Sequence, residues 1–325
     1  MNTQDFKIAV VVTLNKVPTV KWVEFITLAC GGKADLIIVD DSPEQDLQKR
    51  LSGIQYVNAN VYNREFQEKE LVDGSITSRN FGHYMAWKLE YDIIIGLDSD
   101  CNVPQDFIEK HVGALRVEGY GWTNPIKQKG VFPRGFPYSE RSRKVTANLG
   151  LWENVLDINS KDVKDDVPSK CGVEGNLVAE CYIPFSGLNW SMWREAIPGF
   201  MFLHNFNVTI KDKEYSFINI GDIWGGYIFQ KFMEKRNERM TYGYPIVHRD
   251  AVIDKEADMK AEEAMIEFEN TFYSAVDSVM EKVTTSTYED MVWQFAQIVA
   301  IDWKNTEWDS LMVTFEWWAD LFTKK

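Results

Sequence analysis

The chain has 325 residues, of which 45% are hydrophobic and 26% charged, as expected for a globular protein with a large core. Its formal net charge of -14 disfavours nonspecific binding to nucleic acid or to anionic lipid, because both are negative. A locally basic surface could still bind a nucleic acid, so that partner is disfavoured and not excluded. No apolar stretch approaches the roughly 20 residues of a membrane-spanning helix, so no membrane association is expected.

The cysteines indicate the redox environment. Cys30, Cys101, Cys171 and Cys181 show no CxxC spacing, so we predict neither a zinc knuckle nor a dense disulfide framework. Free thiols predict a reducing, cytoplasmic setting, with a Cys171–Cys181 bridge as the alternative. The N-terminus "MNTQDFKIAVVVTLNK" has a short apolar run and no basic leader, which predicts a strand rather than a signal peptide.

Apolar runs and helical patterns alternate through the first hundred residues. The predicted strands are "KIAVVVT" (7–13), "ADLIIVDDSP" (34–43), the weaker "GIQYVNANVYN" (53–63) and "DIIIGLDSD" (92–100). The predicted helices are "TVKWVEFITLACGG" (19–32), with a capping Thr and two terminal glycines, and "GSITSRNFGHYMAWKLEY" (74–91). This order predicts an α/β fold with one Rossmann-type, mixed, mostly parallel sheet that binds ligands at the carboxyl ends of its strands.

The texture of the chain changes near residue 255. Residues 105–250 are rich in Gly, Pro and aromatic residues, whereas the following segment has apolar residues at spacings of three and four, namely Ala261, Met265, Phe268, Phe272, Ala275, Val279 and Val283. A second helical stretch from Tyr288 carries five tryptophans, Trp293, Trp303, Trp308, Trp317 and Trp318. We therefore predict a catalytic domain over 1–254 and a helical subdomain over 255–325. Its tryptophans are expected to form core, with a possible homo-oligomer contact on a surplus apolar face.

Two carboxylates one residue apart end the fourth predicted strand. In a turn, Asp98 and Asp100 can converge on one hard divalent cation such as Mn²⁺ or Mg²⁺, which prefers oxygen ligands and can also bind phosphate oxygens. The alternative is an acidic surface turn. Arg79 offers a planar fork that suits phosphate or uracil oxygens, or a surface salt bridge. Asp40 and Asp41 could accept hydrogen bonds from a ribose or a base, or could cap a turn.

The order of these parts resembles nucleotide-sugar glycosyltransferases of the GT-A fold, with early acids, an "RNxG" helix and a strand that ends in DxD. Four later stretches resemble the reversibly glycosylated polypeptides, in the order found in that family: "FPRGFPYSER" (132–141), "TANLGLWENVLDIN" (146–159), "IPFSGLNWSM" (183–192) and "GDIWGGY" (221–227). The resemblance covers roughly residues 5 to 255.

The resemblance implies an enzyme that binds a UDP-sugar with Mn²⁺ or Mg²⁺. The family includes UDP-arabinopyranose mutases, which interconvert the six-membered and five-membered ring forms of UDP-arabinose, and its members can place a sugar on one of their own arginines. "DSD" replaces the three acids typical of the family, and "GD" replaces a pair of acids. The sugar therefore stays open. Alternatives are transfer of the sugar to an external acceptor, which could be a nucleic acid, and a non-catalytic scaffold on the same fold.

The resemblance also implies roles for individual residues. Asp100 and Asp98 are expected to hold the metal, with His248 as a third ligand. Asp222 is expected to act as a sugar hydroxyl anchor or base, or as a helix cap, and Arg134 is the counterpart of the glycosylated arginine. The remaining residues expected to bind substrate are Asn80, Arg141, Trp152, Gly187 and Asn189, together with Arg79, Asp40 and Asp41.

Overall fold

The computed structural model describes residues 5–14, 20–42, 46–52, 59–63, 78–126, 128, 130–163, 168–252 and 254–323. The strands are β1 (Ile8–Leu14), β2 (Asp35–Asp40), β3 (Ala59–Tyr62), β4 (Ile93–Asp98), β5 (Cys101–Asn102), β6 (Val145–Asn154), β7 (Asn176–Val178), β8 (Asn189–Trp193), β9 (Phe206–Ile210), β10 (Lys213–Phe217) and β11 (Arg239–Arg249). The α-helices are α1 (Val20–Cys30), α2 (Leu47–Leu51), α3 (Ser78–Lys88), α4 (Phe107–Leu115), α5 (Gly221–Lys235), α6 (Lys255–Lys282), α7 (Tyr288–Asp302) and α8 (Met312–Thr323).

The main sheet has the strand order β3-β2-β1-β4-β8-β6-β11-β5, and β7 pairs with β11. Strand β1 is parallel to β2 and β4, β2 is parallel to β3, and β6 is parallel to β11. Strand β8 is antiparallel to both of its neighbours, β4 and β6. This confirms the predicted mixed, mostly parallel sheet. The parallel strands therefore end along one edge of the sheet, the carboxyl edge, and begin along the opposite one, the amino edge.

The central strands are apolar along their length because helices cover both faces of the sheet. In β1, Val10 and Val12 face one hydrophobic cluster with α1 and α4, while Ala9 and Val11 face the other, with α3 and α5. Gly96 of β4 must be a glycine, because a Cβ there would lie 2.2 Å from the ring of Trp190 on β8.

The C-terminal helices pack into the same core as α5. The ring of Trp224 stacks on Phe272 of α6 at 3.9 Å, and Trp318 Nε1 of α8 donates a hydrogen bond to the carbonyl of Pro198 at 2.8 Å. The predicted amphipathic helix is confirmed as α6. The helical stretch predicted from Tyr288 is confirmed as two helices, α7 and α8, and Asn305 has a φ of +61° in the break between them.

Most local predictions for the first hundred residues are confirmed. The strands predicted at 7–13, 34–43 and 92–100 correspond to β1, β2 and β4, and glycines 31 and 32 end α1 with φ of +55° and +71°. Residues 19, 43, 53–58 and 74–77, part of four predicted elements, lie outside the described residues. All four cysteines are free.

Two predictions about the whole chain stay predictions. A division at residue 254 is one, and a homo-oligomer contact through the C-terminal helices is the other. Exposed apolar side chains on α7 and α8 include Trp293, Ile301 and Val313. Among the described helices, none has both the length and the apolar content needed to cross a membrane.

Candidate functional site

A cleft of about 1000 Å³ opens at the carboxyl edge of the sheet. Its floor is formed by Thr13 at the end of β1, Asp98 at the end of β4 and Arg249 at the end of β11, and one wall by the first turns of α3 and α5. The first turns of α6 form a further wall through Asp258, Ala261, Glu262 and Met265. The predicted location of the site at the carboxyl ends of the strands agrees with this cleft.

The cleft is strongly acidic. Among the described residues, its lining includes seven carboxylates, from residues 41, 98, 100, 157, 222, 258 and 262, but only two arginines, Arg79 and Arg249. An anionic ligand such as a diphosphate would be repelled by this excess of negative charge unless a cation entered with it. The charge balance of the lining therefore favours a cation and an anion that bind together.

Arg79 is the cation at the end of β4. Its Nη2 donates to Asp98 Oδ1 at 2.7 Å, and its guanidinium lies 5.4 Å from the ring centroid of Phe202. Burial alone would lower the pKa of Arg79, but attraction to Asp98, Asp222 and Asp100 raises it above its ordinary value. Arg79 therefore stays charged and lies between the Asp98 carboxylate and the ring of Phe202.

The carboxyl of Asp98 has a raised pKa. Burial raises its pKa from 3.8 to about 6, and the neighbouring Asp100 and Asp222 raise it too, whereas Arg79 and Arg249 act in the opposite direction. Its side chain is 17% exposed. Ionisation of the Asp98 carboxyl at the end of β4 therefore costs free energy, and an additional cation would stabilise its charged form.

Asp100 is held from the other side by Arg249. The Arg249 Nε lies 3.5 Å from Asp100 Oδ2, and its Nη1 lies 3.3 Å from Asp157 Oδ1. Asp157 in turn accepts a hydrogen bond from Ser186 Oγ at 3.0 Å. The backbone N–H of Asp250 donates to the carbonyl of Asp100 at 2.8 Å, which fixes the turn after β4 to the end of β11.

Asp222 lies in the first turn of α5, where a helix favours negative charge. Its Oδ2 accepts from the backbone N–H of Gly187 at 2.8 Å, and its Oδ1 from the N–H of Ile223 at 3.0 Å. Burial raises the pKa of Asp222, although the hydrogen bond from Gly187 and the charge of Arg79 lower it. Asp222 lines the cleft, and its role toward a sugar stays a prediction. The helix-cap alternative does not hold in the strict sense, because the N-cap residue of α5 is Ile220.

Gly187 lies against the Arg79 pocket without lining the cleft itself. A Cβ at this position would meet Phe202 Cε1 at 2.8 Å and Arg79 Nη1 at 3.2 Å. The absence of a side chain at Gly187 thus lets its N–H reach Asp222 while Arg79 and Phe202 pack beside it.

Two predicted substrate-binding amides have structural roles instead. The Asn80 side chain makes both possible bonds to the backbone of Phe202, donating to its carbonyl at 2.7 Å and accepting from its N–H at 2.8 Å. Asn189 is fully buried, and it bonds to His111 Nε2 at 2.9 Å and to the carbonyls of Leu151 and Pro245. Both side chains are fully buried and neither lines the cleft, so neither is placed to bind a substrate.

Asp40 and Trp152 are buried away from the cleft lining. Asp40 Oδ1 accepts from the N–H and Oγ of Ser42, so it caps the turn after β2, which was the alternative role considered for it. Its neighbour Asp41 lines the cleft. Trp152 belongs to the hydrophobic cluster on the α1 and α4 face, so its predicted contact with a substrate is not supported.

The arginines of the "FPRGFPYSER" segment lie at the amino edge. Phe132 and Phe136 of this segment pack on Tyr120, whose carbonyl accepts a hydrogen bond from Arg239 Nε at the beginning of β11. The ten residues of β6, about 30 Å of strand, separate this edge from the cleft. Arg134 is exposed there, and the Arg141 guanidinium packs on the ring of Tyr138 at 3.7 Å. The chain's own cleft does not include either arginine.

His248 does not join the acidic pair. Its ring nitrogens lie 3.8 Å from Glu153 Oε1 and 3.4 Å from Asp250 Oδ1, and its side chain is 47% exposed. Successive residues of a strand point to opposite faces, so the side chain that β11 presents to Asp100 is that of Arg249. Within the described part of the chain, no three His, Cys, Asp or Glu side chains are already arranged as a metal site. Asp98 and Asp100 fit a divalent cation by donor type, and they are the residues that would hold it.

Several residues of the cleft were missed from the sequence. Arg249 directly follows His248, which the sequence predicts as a metal ligand. Asp157 lies in the motif "TANLGLWENVLDIN", for which only Trp152 is predicted to bind substrate. Glu262 of α6 accepts from both the N–H and the Oγ of Ser160, at 2.9 and 2.7 Å, and so holds the loop beside the cleft. The presence of Asp157 in a family motif could have indicated its place in the cleft. Nothing in the sequence indicates that α6 extends to the cleft and places Glu262 there.

The mixed sheet and the cleft at its carboxyl edge define an α/β protein with an acidic pair directly after β4. Residues 5–324 match the family model described as reversibly glycosylated polypeptide, and the chain therefore belongs to that family. The match continues through α6, α7 and α8, beyond the part in which motifs could be recognised.

Comparison with curated protein sequences gives no match. Among solved structures, the chain is similar to glucosyl-3-phosphoglycerate synthase from Mycobacterium tuberculosis in complex with phosphoglyceric acid, with 13% identity over 87% of this chain and 83% of that one and a TM-score of 0.49. It is also similar to the same enzyme in complex with Mn²⁺ and uridine-diphosphate-glucose, with 13% identity over 84% and 80% and a TM-score of 0.48.

Proposed function

We propose that this protein is a metal-dependent enzyme that acts on a UDP-sugar, and that it interconverts the pyranose and furanose forms of a UDP-pentose in the manner of UDP-arabinopyranose mutases. Membership of the reversibly glycosylated polypeptide family supports the substrate class. The observation that carries the proposal is the convergence of Asp98, Asp100, Arg79 and Asp222 on one cleft at the carboxyl edge.

The acidic pair and Arg79 would manage the charge of the diphosphate. A divalent cation held by Asp98 and Asp100 would withdraw charge from the leaving diphosphate as the anomeric C–O bond breaks. Arg79 would contribute a fixed fork toward the phosphate oxygens, because its backbone is anchored on α3 and its neighbour Asn80 is bonded to Phe202.

Asp222 would serve the sugar. Its carboxylate is half-buried at the first turn of α5 and is oriented by the N–H of Gly187, so it offers a fixed acceptor for a sugar hydroxyl or for a proton. The oxocarbenium-like state that follows bond cleavage is positive, and a nearby carboxylate stabilises it electrostatically. Ring contraction requires the ring oxygen and the C4 hydroxyl to exchange roles before UDP returns, so water must be kept out.

The deciding experiment is incubation of the protein with a panel of UDP-sugars and Mn²⁺, followed by chromatography of the nucleotide products. A mutase gives a new UDP-sugar isomer without any acceptor, a transferase releases UDP only when an acceptor is supplied, and a scaffold gives neither. Asp98→Asn and Asp100→Asn are expected to abolish the reaction. Asp309→Asn, an exposed residue of equal charge outside the cleft, is the matched control and should leave it unchanged. Absence of any new isomer with every sugar would overturn the mutase proposal.

A further inference from the structure

We propose that Arg249 occupies the Asp100 carboxylate while the cleft is empty, and that it turns to the diphosphate when a divalent cation takes Asp100. Arg249 is then a positioning residue that makes cation and nucleotide binding depend on each other. The inference rests on the proposed function, because it assumes that a cation and a UDP moiety enter this cleft.

The two arginines pair unequally with the acidic motif. Arg79 Nη2 lies 2.7 Å from Asp98 Oδ1, which is a full charge-assisted hydrogen bond. Arg249 Nε lies 3.5 Å from Asp100 Oδ2, beyond the usual range for such a bond. Asp100 is thus neutralised but only loosely held, and it is the carboxylate of the pair that can most easily be released.

A second carboxylate, that of Asp157, keeps the guanidinium of Arg249 in the cleft. Arg249 has a second carboxylate partner, Asp157, 3.3 Å away, and Asp157 is itself held by Ser186. The backbone around Arg249 is fixed as well, because it pairs with β6 and the next N–H bonds to the carbonyl of Asp100. Loss of Asp100 would therefore leave the guanidinium in the cleft, anchored at Asp157.

The negative charge of the cleft lining also holds Arg249 in place. The Arg249 side chain is 18% exposed and lies in a lining with seven carboxylates among the described residues, so it is held in place by negative charge on more than one side. A cation at Asp98 and Asp100 would repel this guanidinium, whereas the diphosphate bound to that cation would attract its planar fork. Arg249 would thus oppose the cation alone and favour the cation together with a diphosphate.

This opposition gives a distinctive signature in Arg249→Met. We expect the variant to bind Mn²⁺ alone about three- to fivefold more tightly, because a competing ion pair of the partly exposed kind has gone. In the presence of Mn²⁺ we expect it to bind UDP about tenfold or more weakly, because a charged partner of the diphosphate has gone. Arg249→Lys keeps the charge but not the fork, so its effects should lie between those of the wild type and Arg249→Met.

The test is calorimetric titration of the full chain with Mn²⁺ alone, and with UDP in the presence and absence of Mn²⁺. The Mn²⁺ event lost in Asp100→Asn identifies the site. Arg116→Met, an exposed residue outside the cleft, controls for the change in net charge and should behave as wild type. Circular dichroism checks the fold, and Arg249→Lys replaces Arg249→Met if the latter does not fold.

The outcomes are separable. Opposite shifts of Mn²⁺ and UDP affinity support the inference. Weaker binding of both, or no change in Mn²⁺ affinity, would mean that Arg249 only supports the structure and would overturn it. If the wild type binds UDP no better with Mn²⁺ than without it, the proposed function fails, and the inference fails with it.

Discussion

Replacing Gly187 by alanine tests whether the packing around Arg79 determines ligand binding. The new Cβ would lie 2.8 Å from Phe202 Cε1, 3.0 Å from Phe202 Cζ and 3.2 Å from Arg79 Nη1. The Phe202 ring has little room to retreat, since its residue is 3% exposed and packs against His83 and Phe200. The Phe202 backbone is also held at both its N–H and its carbonyl by Asn80.

The expected cost follows from this crowding. Insertion of one methyl group into a filled site typically lowers the free energy of unfolding by about 1–3 kcal/mol, because side chains leave their preferred rotamers. We expect the larger part of that range, since two of the three contacts are with a ring that cannot move freely. The displaced ring would also shift the guanidinium of Arg79 away from Asp98, so UDP affinity in the presence of Mn²⁺ should fall about tenfold or more.

Chemical denaturation and calorimetry with UDP and Mn²⁺ would measure the two effects. Gly172→Ala is the matched control, because a Cβ there meets no atom within 4 Å and its φ is not positive. That variant should keep both the stability and the affinity of the wild type. The reasoning is refuted if Gly187→Ala unfolds at the same denaturant concentration as Gly172→Ala and binds UDP equally well.

Four further predictions concern individual residues of the site and the fold. The affinity for Mn²⁺ should fall as the pH is lowered through about 6, the raised pKa of Asp98, because the cation must displace the proton. An aspartate with the ordinary pKa of about 4 would lose affinity only at lower pH. Calorimetry at pH 5, 6 and 7 tests this. The same shift has the opposite sign for the ligand-free fold, whose stability should decline as the pH rises from about 4 to about 6. Asn189→Ala should lower the free energy of unfolding by about 2–4 kcal/mol, because it removes the partner of His111 Nε2 and of the carbonyls of Leu151 and Pro245, whereas exposed Asn207→Ala should cost less than about 1 kcal/mol. Equal denaturation midpoints for the two variants would contradict the structural role of Asn189. If Arg134 accepts a sugar, the transfer should occur between molecules, because the length of β6 separates Arg134 from the cleft of its own chain. Asp98→Asn protein should therefore become labelled only when it is mixed with Arg134→Ala protein. Labelling of the wild type at a rate independent of protein concentration would contradict this.

The sheet and its ligand-binding edge could be predicted from local sequence because they depend on local properties. A run such as "DIIIGLD" has one interpretation when strands and helices alternate, and the edge at which Asp98 lies follows from the parallel order. The position of Asp41 and Asp222 at the cleft also agrees with the sequence interpretation. These residues come directly after a strand or begin a helix, so their place in the chain determines their place in the fold.

The residues that were wrongly interpreted required tertiary information. Whether His248 or Arg249 faces Asp100 depends on which face of the sheet each side chain takes at the end of β11, and that follows only from the pairing of β11 with β5 and β6. Asn189 and Asn80 look like ligand-binding amides until their buried partners are known. The separation of Arg134 from the cleft depends on which end of β6 the preceding loop joins, and sequence order alone gives no distance.

Helix α6 has a double attachment with a practical consequence. Its first two turns form a wall of the cleft, and its later turns carry Phe272, Val276 and Val279 into the core shared with α5. Cutting the gene at codon 254 to obtain a minimal catalyst would therefore remove part of the pocket and expose apolar surface in the same step. Protein engineering that aims to alter which sugars are accepted can instead begin from α6, where side chains can be exchanged without touching the acids at the ends of the strands.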